Sequence, residues 1–380
     1  MNHLVIALVP KTCNASKVEE FQPIACCNVS YNVISKILAA RLSVLLPNLI
    51  DPAQATFVQG RSMVENIYLV QEFLNRYGWS RISPRCIMKI DLKKAYDTIN
   101  WEFVRKVLMG FGLPNLFVNW IIQCISTTAY SISINGSMHG FFKGKQGIRQ
   151  GDPISPFLFV LCLEYLSRSL NQLKDNRDFK FHPRCQDLNI THLAFADDLM
   201  LFSRGDVESV QLLMNKMRRF GDYSGLRVSM EKSNLYASGI PRDDLEAIKA
   251  ISGFSEGRFP FRYLGLLVAS TKLTIAQFHS FTDKIAGYLN AWAGMKLSYA
   301  GRCELIRFIL QGMECFWLAS LQSLLGLEKD SSRCAVGTKM EHWVFDGKFC
   351  SKAAYEFFRP RKGNLTWPKG GLEVPLPVVV

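Results

Sequence analysis

Three carboxylates fall in stretches that otherwise favour burial. Asp91 closes the apolar run "RCIMKIDL" at 85–92, and the pair Asp197 and Asp198 interrupts "HLAFADDLMLF" at 192–202. An unpaired buried carboxylate costs several kcal/mol, so acids at strand ends call for a compensating positive charge. A divalent cation supplies it economically. Carboxylate oxygens suit Mg²⁺, which keeps several waters and completes its shell with substrate phosphates. Two such ions roughly 4 Å apart activate an attacking hydroxyl and stabilise the leaving oxygen in phosphoryl transfer. A lone Asp-Asp pair is also an ordinary hairpin turn. What favours chemistry is its company: the acid upstream, the polar loop "KGKQGIRQGDP" ahead of a long helix, and a basic chain.

The elements that must position these acids follow from periodicity and breakers. Residues 28–46 place Val33, Ile37, Leu38, Leu42, Leu45 and Leu46 at helical spacing, with Pro47 closing the run. Helices are expected over 62–76, over 101–110 with Asn100 as cap, over 114–126, over 154–170, and from near Asp206 to Gly225. Others are expected near 242–251, 274–292 and 298–318. "YSISINGSMHGFF" at 130–142 alternates and turns at Asn135-Gly136, a strong hairpin signal. "HLAFADDLMLF" reads as strand, two-residue turn, strand, and further strands are expected at 226–230, 233–237 and 261–269. Strands interleaved with helices of unequal length favour an α+β fold with a mostly antiparallel sheet.

With 380 residues, 48% of them hydrophobic, the chain can bury one large core or several smaller ones. Its 45 Lys and Arg against 32 Asp and Glu give a formal charge of +13, which favours polyanionic partners such as nucleic acid. The eleven cysteines show no CxxC pair and no zinc spacing, so they read as reduced core thiols in a reducing compartment. "HLVIALVP" near the N-terminus is too short for a signal sequence or a membrane span, which leads to the expectation of an intracellular chain, in nucleus or cytoplasm, with no transmembrane segment.

Eight stretches taken in order resemble a known family: "FQPIACCNVSYNVISKILAARL", "QATFVQGRSMVENI", "MKIDLKKAYDTINWEF", "GIRQGDPISPFLF", "FADDLMLF", "SGLRVSMEKS", "FRYLGLL" and "LSYAGRCELI". They resemble the reverse transcriptase of non-LTR retrotransposons, the LINE type found in plants, from about Leu8 to about Leu318. The resemblance implies a right-hand polymerase with an antiparallel palm, partial fingers and a helical thumb. The divisions it implies are 1–87 partial fingers, 88–272 palm, 273–325 thumb, and 326–380 an incomplete zinc-binding remnant with an irregular tail. It also implies an RNA template, a DNA primer, deoxynucleoside triphosphates and two Mg²⁺ ions, with Mn²⁺ as a substitute, and no membrane partner. Oligomeric state is left open.

Carried over by position, the metal ligands are Asp91, Asp197 and Asp198, and Tyr96 is the ring beneath the incoming sugar that disfavours a 2′-hydroxyl. Gln150 and Gly151 line the floor of the nucleotide site, and Lys11 and Arg61 contact nucleotide or template. Arg149 reads equally as a phosphate contact or an exposed arginine, and Lys232 as the general acid for departing diphosphate or a solvated lysine. Tyr263, Leu264 and Gly265 form the hairpin gripping the primer end, and Arg302 and Arg307 follow the duplex backbone. Asp97 stabilises its local turn.

Three positions depart from the family pattern. Gln22 stands where an arginine is expected to reach the triphosphate, and an amide cannot make that bidentate charged contact. Asn32 and Ser229 replace the usual lysine and asparagine. Cys334 and Cys350 are not read as a metal site. The chain reads as a truncated copy of an element, without an endonuclease. Two further readings remain open, a catalytically inactive palm fold that binds RNA or RNA/DNA hybrid and an RNA-directed RNA polymerase, the second opposed by Tyr96.

Overall fold

In the computed structural model, residues 2–12 and 14–271 are described, together with scattered positions between 283 and 349. The chain divides into two compact units, Met1–Leu273 and Thr274–Val380. The first opens with β1 (His3–Pro10), β2 (Phe21–Cys26), α1 (Val29–Leu49) and α2 (Met63–Leu74). Then come β3 (Arg85–Lys93), α3 (Ala95–Thr98), α4 (Trp101–Gly110), α5 (Asn115–Ser126), β4 (Ala129–Ile134), β5 (Ser137–Lys143) and α6 (Ser155–Asn171). After them follow β6 (His192–Phe195), β7 (Asp198–Ser203), α7 (Val207–Ser224), β8 (Arg227–Val228), β9 (Asn234–Ser238) and α8 (Arg242–Ser252). The unit ends with β10 (Ser255–Glu256), β11 (Phe261–Tyr263) and β12 (Leu266–Val268).

Two sheets and a hairpin organise this unit. The smaller sheet has the order β2-β1-β4-β5, with β1 antiparallel to β2 and parallel to β4. The larger runs β10-β9-β3-β7-β6, and β8 also pairs with β3. β3 is central, antiparallel to both β7 and β9. One face of it, Cys86, Met88, Ile90 and Leu92, enters the main core with α4, α6 and α7; the other presents Lys89, Asp91 and Lys93. Period-2 alternation thereby puts the functional candidates on the open face.

Local chemistry explains several boundaries. Asn100 caps α4, its side-chain oxygen accepting from the N–H groups of Glu102 (2.8 Å) and Phe103 (3.2 Å). Asp206 caps α7 and Gly225 ends it at φ +80°. Asn135 and Gly136 both have positive φ, as the two-residue turn between β4 and β5 requires.

Helix α1 departs from expectation in two ways. It runs through Pro47 to Leu49, because a proline near a helix end removes one hydrogen bond without stopping the next, Ile50 N–H to Leu46 O at 3.0 Å. The expected apolar stripe is also rotated: Tyr31, Ser35, Leu38, Ala39, Leu42 and Leu46 are buried, while Val33, Ile37 and Leu45 are exposed. Ser35 takes a core position because its hydroxyl meets the buried Asp152 carboxylate. By length and composition alone, α1 is also long and apolar enough to cross a membrane; here its buried residues pack into the core, as a domain helix does.

In the second unit, β13 (Val344–Phe345) and β14 (Lys348–Phe349) pair antiparallel. Arg302 and Arg307 lie outside the described residues, as do nearly all of the expected thumb and tail.

Candidate active site

The carboxylates meet at one end of the large sheet. Asp91 on β3 lies directly across the ladder from Asp198, the first residue of β7. Asp197 and Ala196 form the turn closing the β6–β7 hairpin, where Phe195 pairs with Asp198. Ala196 takes φ +52°, a left-handed conformation that costs a residue with a Cβ roughly 1–2 kcal/mol. The turn thus holds Asp197 exposed at the tip, next to half-buried Asp198. The Asp198 carboxyl is held above the usual carboxylate range, first by burial and then by the charges of Asp197 and Asp91, against the pull of Lys89. This is a cluster of negative charge. Among the described residues, however, no three His, Cys, Asp or Glu side chains are gathered closely enough to hold a metal ion, so the expected three-carboxylate cage is not closed.

Two serines and a lysine support the site, and no role in the sequence reading had been given to any of them. Buried Ser233 accepts from the Asp91 N–H at 3.1 Å, and Ser229 N–H donates to Asp91 O at 2.8 Å, fixing the strand where it leaves the regular ladder. Lys89, two residues before Asp91 on the same face, donates from Nζ to Arg262 O at 2.8 Å and so ties β11 to the central strand. Its period-2 spacing from Asp91 was the available signal.

The glycine-rich loop packs on the turn after β3. Ile148 N–H donates to Tyr96 O at 2.7 Å, and Gly147 N–H to Ile99 O at 2.8 Å. Gly147 has φ +88°, and a Cβ there would stand 2.7 Å from Asp97 O. This glycine is therefore obligatory, more so than Gly151, where a Cβ would meet Ala25 O at 3.4 Å and Ile24 Cγ2 at 3.9 Å. Tyr96 stacks on Phe159 at 5.0 Å with an interplanar angle of 21°, and burial together with the Asp197 charge pushes its hydroxyl up to about 12. Gln150 is tied to β2 twice, by Ala25 N–H to its carbonyl (3.3 Å) and by Gln22 Nε2 to its Oε1 (3.0 Å).

The family model for reverse transcriptase (RNA-dependent DNA polymerase) matches residues 9–268. The chain belongs to the reverse transcriptase family. It is 24% identical over 307 residues to the transposon TX1 uncharacterized 149 kDa protein of Xenopus laevis, a match that covers 80% of this chain and 23% of that one. It is 26% identical over 272 residues to the Pol polyprotein of the type-2 retrotransposable element R2DM of Drosophila melanogaster, covering 69% of this chain and 25% of that one. The chain thus spans about a quarter of the length of these relatives. An uncharacterized mitochondrial protein of Arabidopsis thaliana is 35% identical over 96 residues, covering 24% of this chain and 65% of that one. Among solved structures, a Candida tropicalis telomerase in complex with an RNA fragment aligns with TM-score 0.49 and 14% identity, covering 85% of this chain and 54% of that one.

Within this reverse transcriptase domain, three site assignments are corrected. Arg149 is buried and ion-paired with buried Asp152 at 3.6 Å; its guanidinium lies 4.1 Å from the Tyr31 ring centroid and donates to Cys124 O. Neither a phosphate contact nor an exposed arginine describes it, since its charge is consumed inside the fold. Arg61 is spent on carbonyls, donating to Asp51 O (2.5 Å), Gln54 O (2.6 Å) and Ile50 O (2.6 Å), so it clamps the chain after α1 and is not free for nucleotide. Tyr263 is fully buried and cannot face nucleic acid; only Leu264 and Gly265, at φ +49° and +84°, form the accessible turn of the β11–β12 hairpin. Burial and the nearby Asp198 charge push the Tyr263 hydroxyl well up. Lys232 is exposed in the turn between β8 and β9, and Lys11 is exposed just after β1.

Proposed function

We propose that this domain extends a DNA primer along an RNA template by adding deoxynucleotides to the primer 3′-hydroxyl. The observation that carries the reading is the pairing of Asp91 with Asp198 across β3 and β7, with Asp197 in the adjoining turn. Mg²⁺ takes one or two carboxylates from a protein and the rest of its shell from water and phosphate, so this oxygen-only donor set suits it without a closed cage. Asp91, Asp197 and Asp198 would hold two Mg²⁺ ions, or Mn²⁺ in their place. When bound, the metal lowers the pKa of the attacking hydroxyl and neutralises charge on the phosphoryl oxygens. The chain's own residues do the rest. Tyr96, its ring held by Phe159, limits space beneath the sugar, and Gln150 and Gly151 carry the floor. Lys232 gives its proton to the departing diphosphate, Lys11 contacts the triphosphate, and the Leu264-Gly265 turn sits against the primer end. The segment beyond residue 273, with Arg302 and Arg307, serves as the thumb along the duplex.

The retroelement context supports this substrate pair, since the relatives named above are transposon and retrotransposon proteins. The plant LINE type is our narrower reading, supported by the 35% identity to the Arabidopsis protein. Template and nucleotides place the work inside the cell, in nucleus or cytoplasm. The test is primer extension on an RNA template with purified protein and Mg²⁺, comparing deoxynucleotides with ribonucleotides. Deoxynucleotide incorporation that disappears in Asp91→Ala is expected; unchanged rates in that variant sink the assignment.

A second reading, an inactive fold that binds RNA or RNA/DNA hybrid, is favoured by Gln22. Its amide is engaged with Gln150 and offers no charge to a triphosphate. Salt-sensitive hybrid binding without metal-dependent synthesis is its signature.

A further inference from the structure

Two residues past Asp91, on the same open face of β3, the exposed Lys93 stands directly across the ladder from the exposed Arg227 of β8. Like charges directly opposed on one face repel and destabilise the pair. Among the described residues neither side chain makes an ion pair or a hydrogen bond. Both line an open groove of about 1040 Å³ whose other charged residues are Lys94, Arg218 and Asp222. Arg218 is committed, donating to Ile251 O at 2.6 Å, while Lys94 lies near Asp97, where its charge opposes the rise that burial imposes on that carboxyl. Two uncommitted cations therefore share one step of a ladder, one strand repeat of about 7 Å from the metal-binding carboxylate.

An arrangement that is unfavourable empty becomes favourable around a compact anion of high charge. We propose that Lys93 and Arg227 form an exit site for inorganic diphosphate, the leaving group of nucleotide addition; this rests on the polymerase reading above. Arg227 offers its planar fork to two phosphate oxygens and Lys93 a point charge beside it. The concentration of charge at a single cross-strand position fits a small anion better than a nucleic-acid backbone, which would be followed by cations spaced along its length. Lys232, the residue proposed to protonate the leaving group, lies in the turn that follows β8, five residues after Arg227 in the chain.

The test is calorimetric titration of the full chain with inorganic pyrophosphate at low salt in the presence of a chelator, so that neither metal nor turnover is needed. Wild-type protein should bind. Lys93→Gln and Arg227→Gln should each weaken binding about tenfold or more, as loss of a hydrogen bond to a charged group predicts, while Lys106→Gln, outside the groove, binds as wild type. Because both side chains are exposed, circular dichroism should show both variants folded. Asp91→Ala should retain pyrophosphate binding; wild-type protein that binds pyrophosphate but extends no primer would sink the proposed function and leave this site standing. Equal pyrophosphate affinity in wild type and both variants overturns the exit site. So does a result in which the variants instead weaken binding of an RNA/DNA hybrid and flatten its salt dependence, because the groove would then hold backbone.

Discussion

A single buried carboxylate, Asp152, and the group of Asp91, Asp197 and Asp198 are treated by the fold in opposite ways. Asp152 is buried with every partner supplied: Arg149 at 3.6 Å, the Tyr31 hydroxyl at 2.6 Å, the Ser35 hydroxyl, and Ile154 N–H at 3.3 Å. Asp91 stands across the ladder from Asp198, with Asp197 beside it in the turn, and the Asp198 carboxyl is held up first by burial and then by these neighbouring charges, with Lys89 opposing. A charge satisfied from inside the fold serves the fold; a group of charges left unsatisfied is available to something from outside. The contrast distinguishes an acid held by the fold from acids open to a ligand.

Removing one acid from each place in turn should separate activity from stability. Asp91→Asn is expected to lower primer extension at least about a thousandfold, as loss of an essential catalytic group does, while thermal midpoint stays level or rises because repulsion with Asp198 is relieved. A lower midpoint would mean that the acid cluster is structural after all. Asp152→Ala should do the reverse, destabilising by about 3–5 kcal/mol in urea unfolding, since it leaves the Arg149 guanidinium buried without its partner. A loss under about 1 kcal/mol would place that pair among the dispensable ones.

Titration offers a milder perturbation of the same interior. Burial holds His182 down to about 3 and His192 to about 4, so both are neutral in the fold at neutral pH. Above about pH 6.5 folded and unfolded chains bind the same protons and neither histidine affects stability. Below it the unfolded chain takes up protons first, and stability falls by about 2 kcal/mol per histidine at pH 5. Urea unfolding at pH 7.5 and pH 5 should show that loss, and His182→Phe should remove its share of the slope. The smallest expected effect is at the turn: Ala196→Gly should stabilise by about 0.5–1 kcal/mol, relief of the left-handed strain being partly offset by the freer unfolded chain. No gain would show that the turn is unstrained.

Legibility in the sequence followed the range of the interaction. The Asn100 and Asp206 caps, the Asn135-Gly136 turn and the Gly225 stop act within a few residues, and the strand carrying Asp91 was bounded to within one residue of Arg85–Lys93. The juxtaposition of Asp91 with Asp197 and Asp198 was also anticipated, because three acids in apolar strands share one need. What the sequence concealed was long-range. Arg149 finds Cys124 and Tyr31 across 25 and 118 positions of chain, Tyr263 is covered by packing, and Arg61 folds back onto carbonyls. Basic and aromatic residues near a polar site look alike until their partners are known. The rotated face of α1 has the same cause, a serine drawn inward by a carboxylate 117 residues away.

Gly147 has one more consequence. The loop meets the segment carrying Tyr96 through main-chain atoms on both sides: Ile148 N–H on Tyr96 O, and a glycine too close to Asp97 O to admit a methyl group. The spacing between loop and ring is therefore fixed by backbone, and no exchange of side chains in the loop can widen or narrow it. Within the proposed site, replacing Tyr96 by Phe, Val and Ala then changes one side-chain dimension while the loop backbone stays still. The ring at position 96 is a dial, and the loop is the fixed scale against which it can be read.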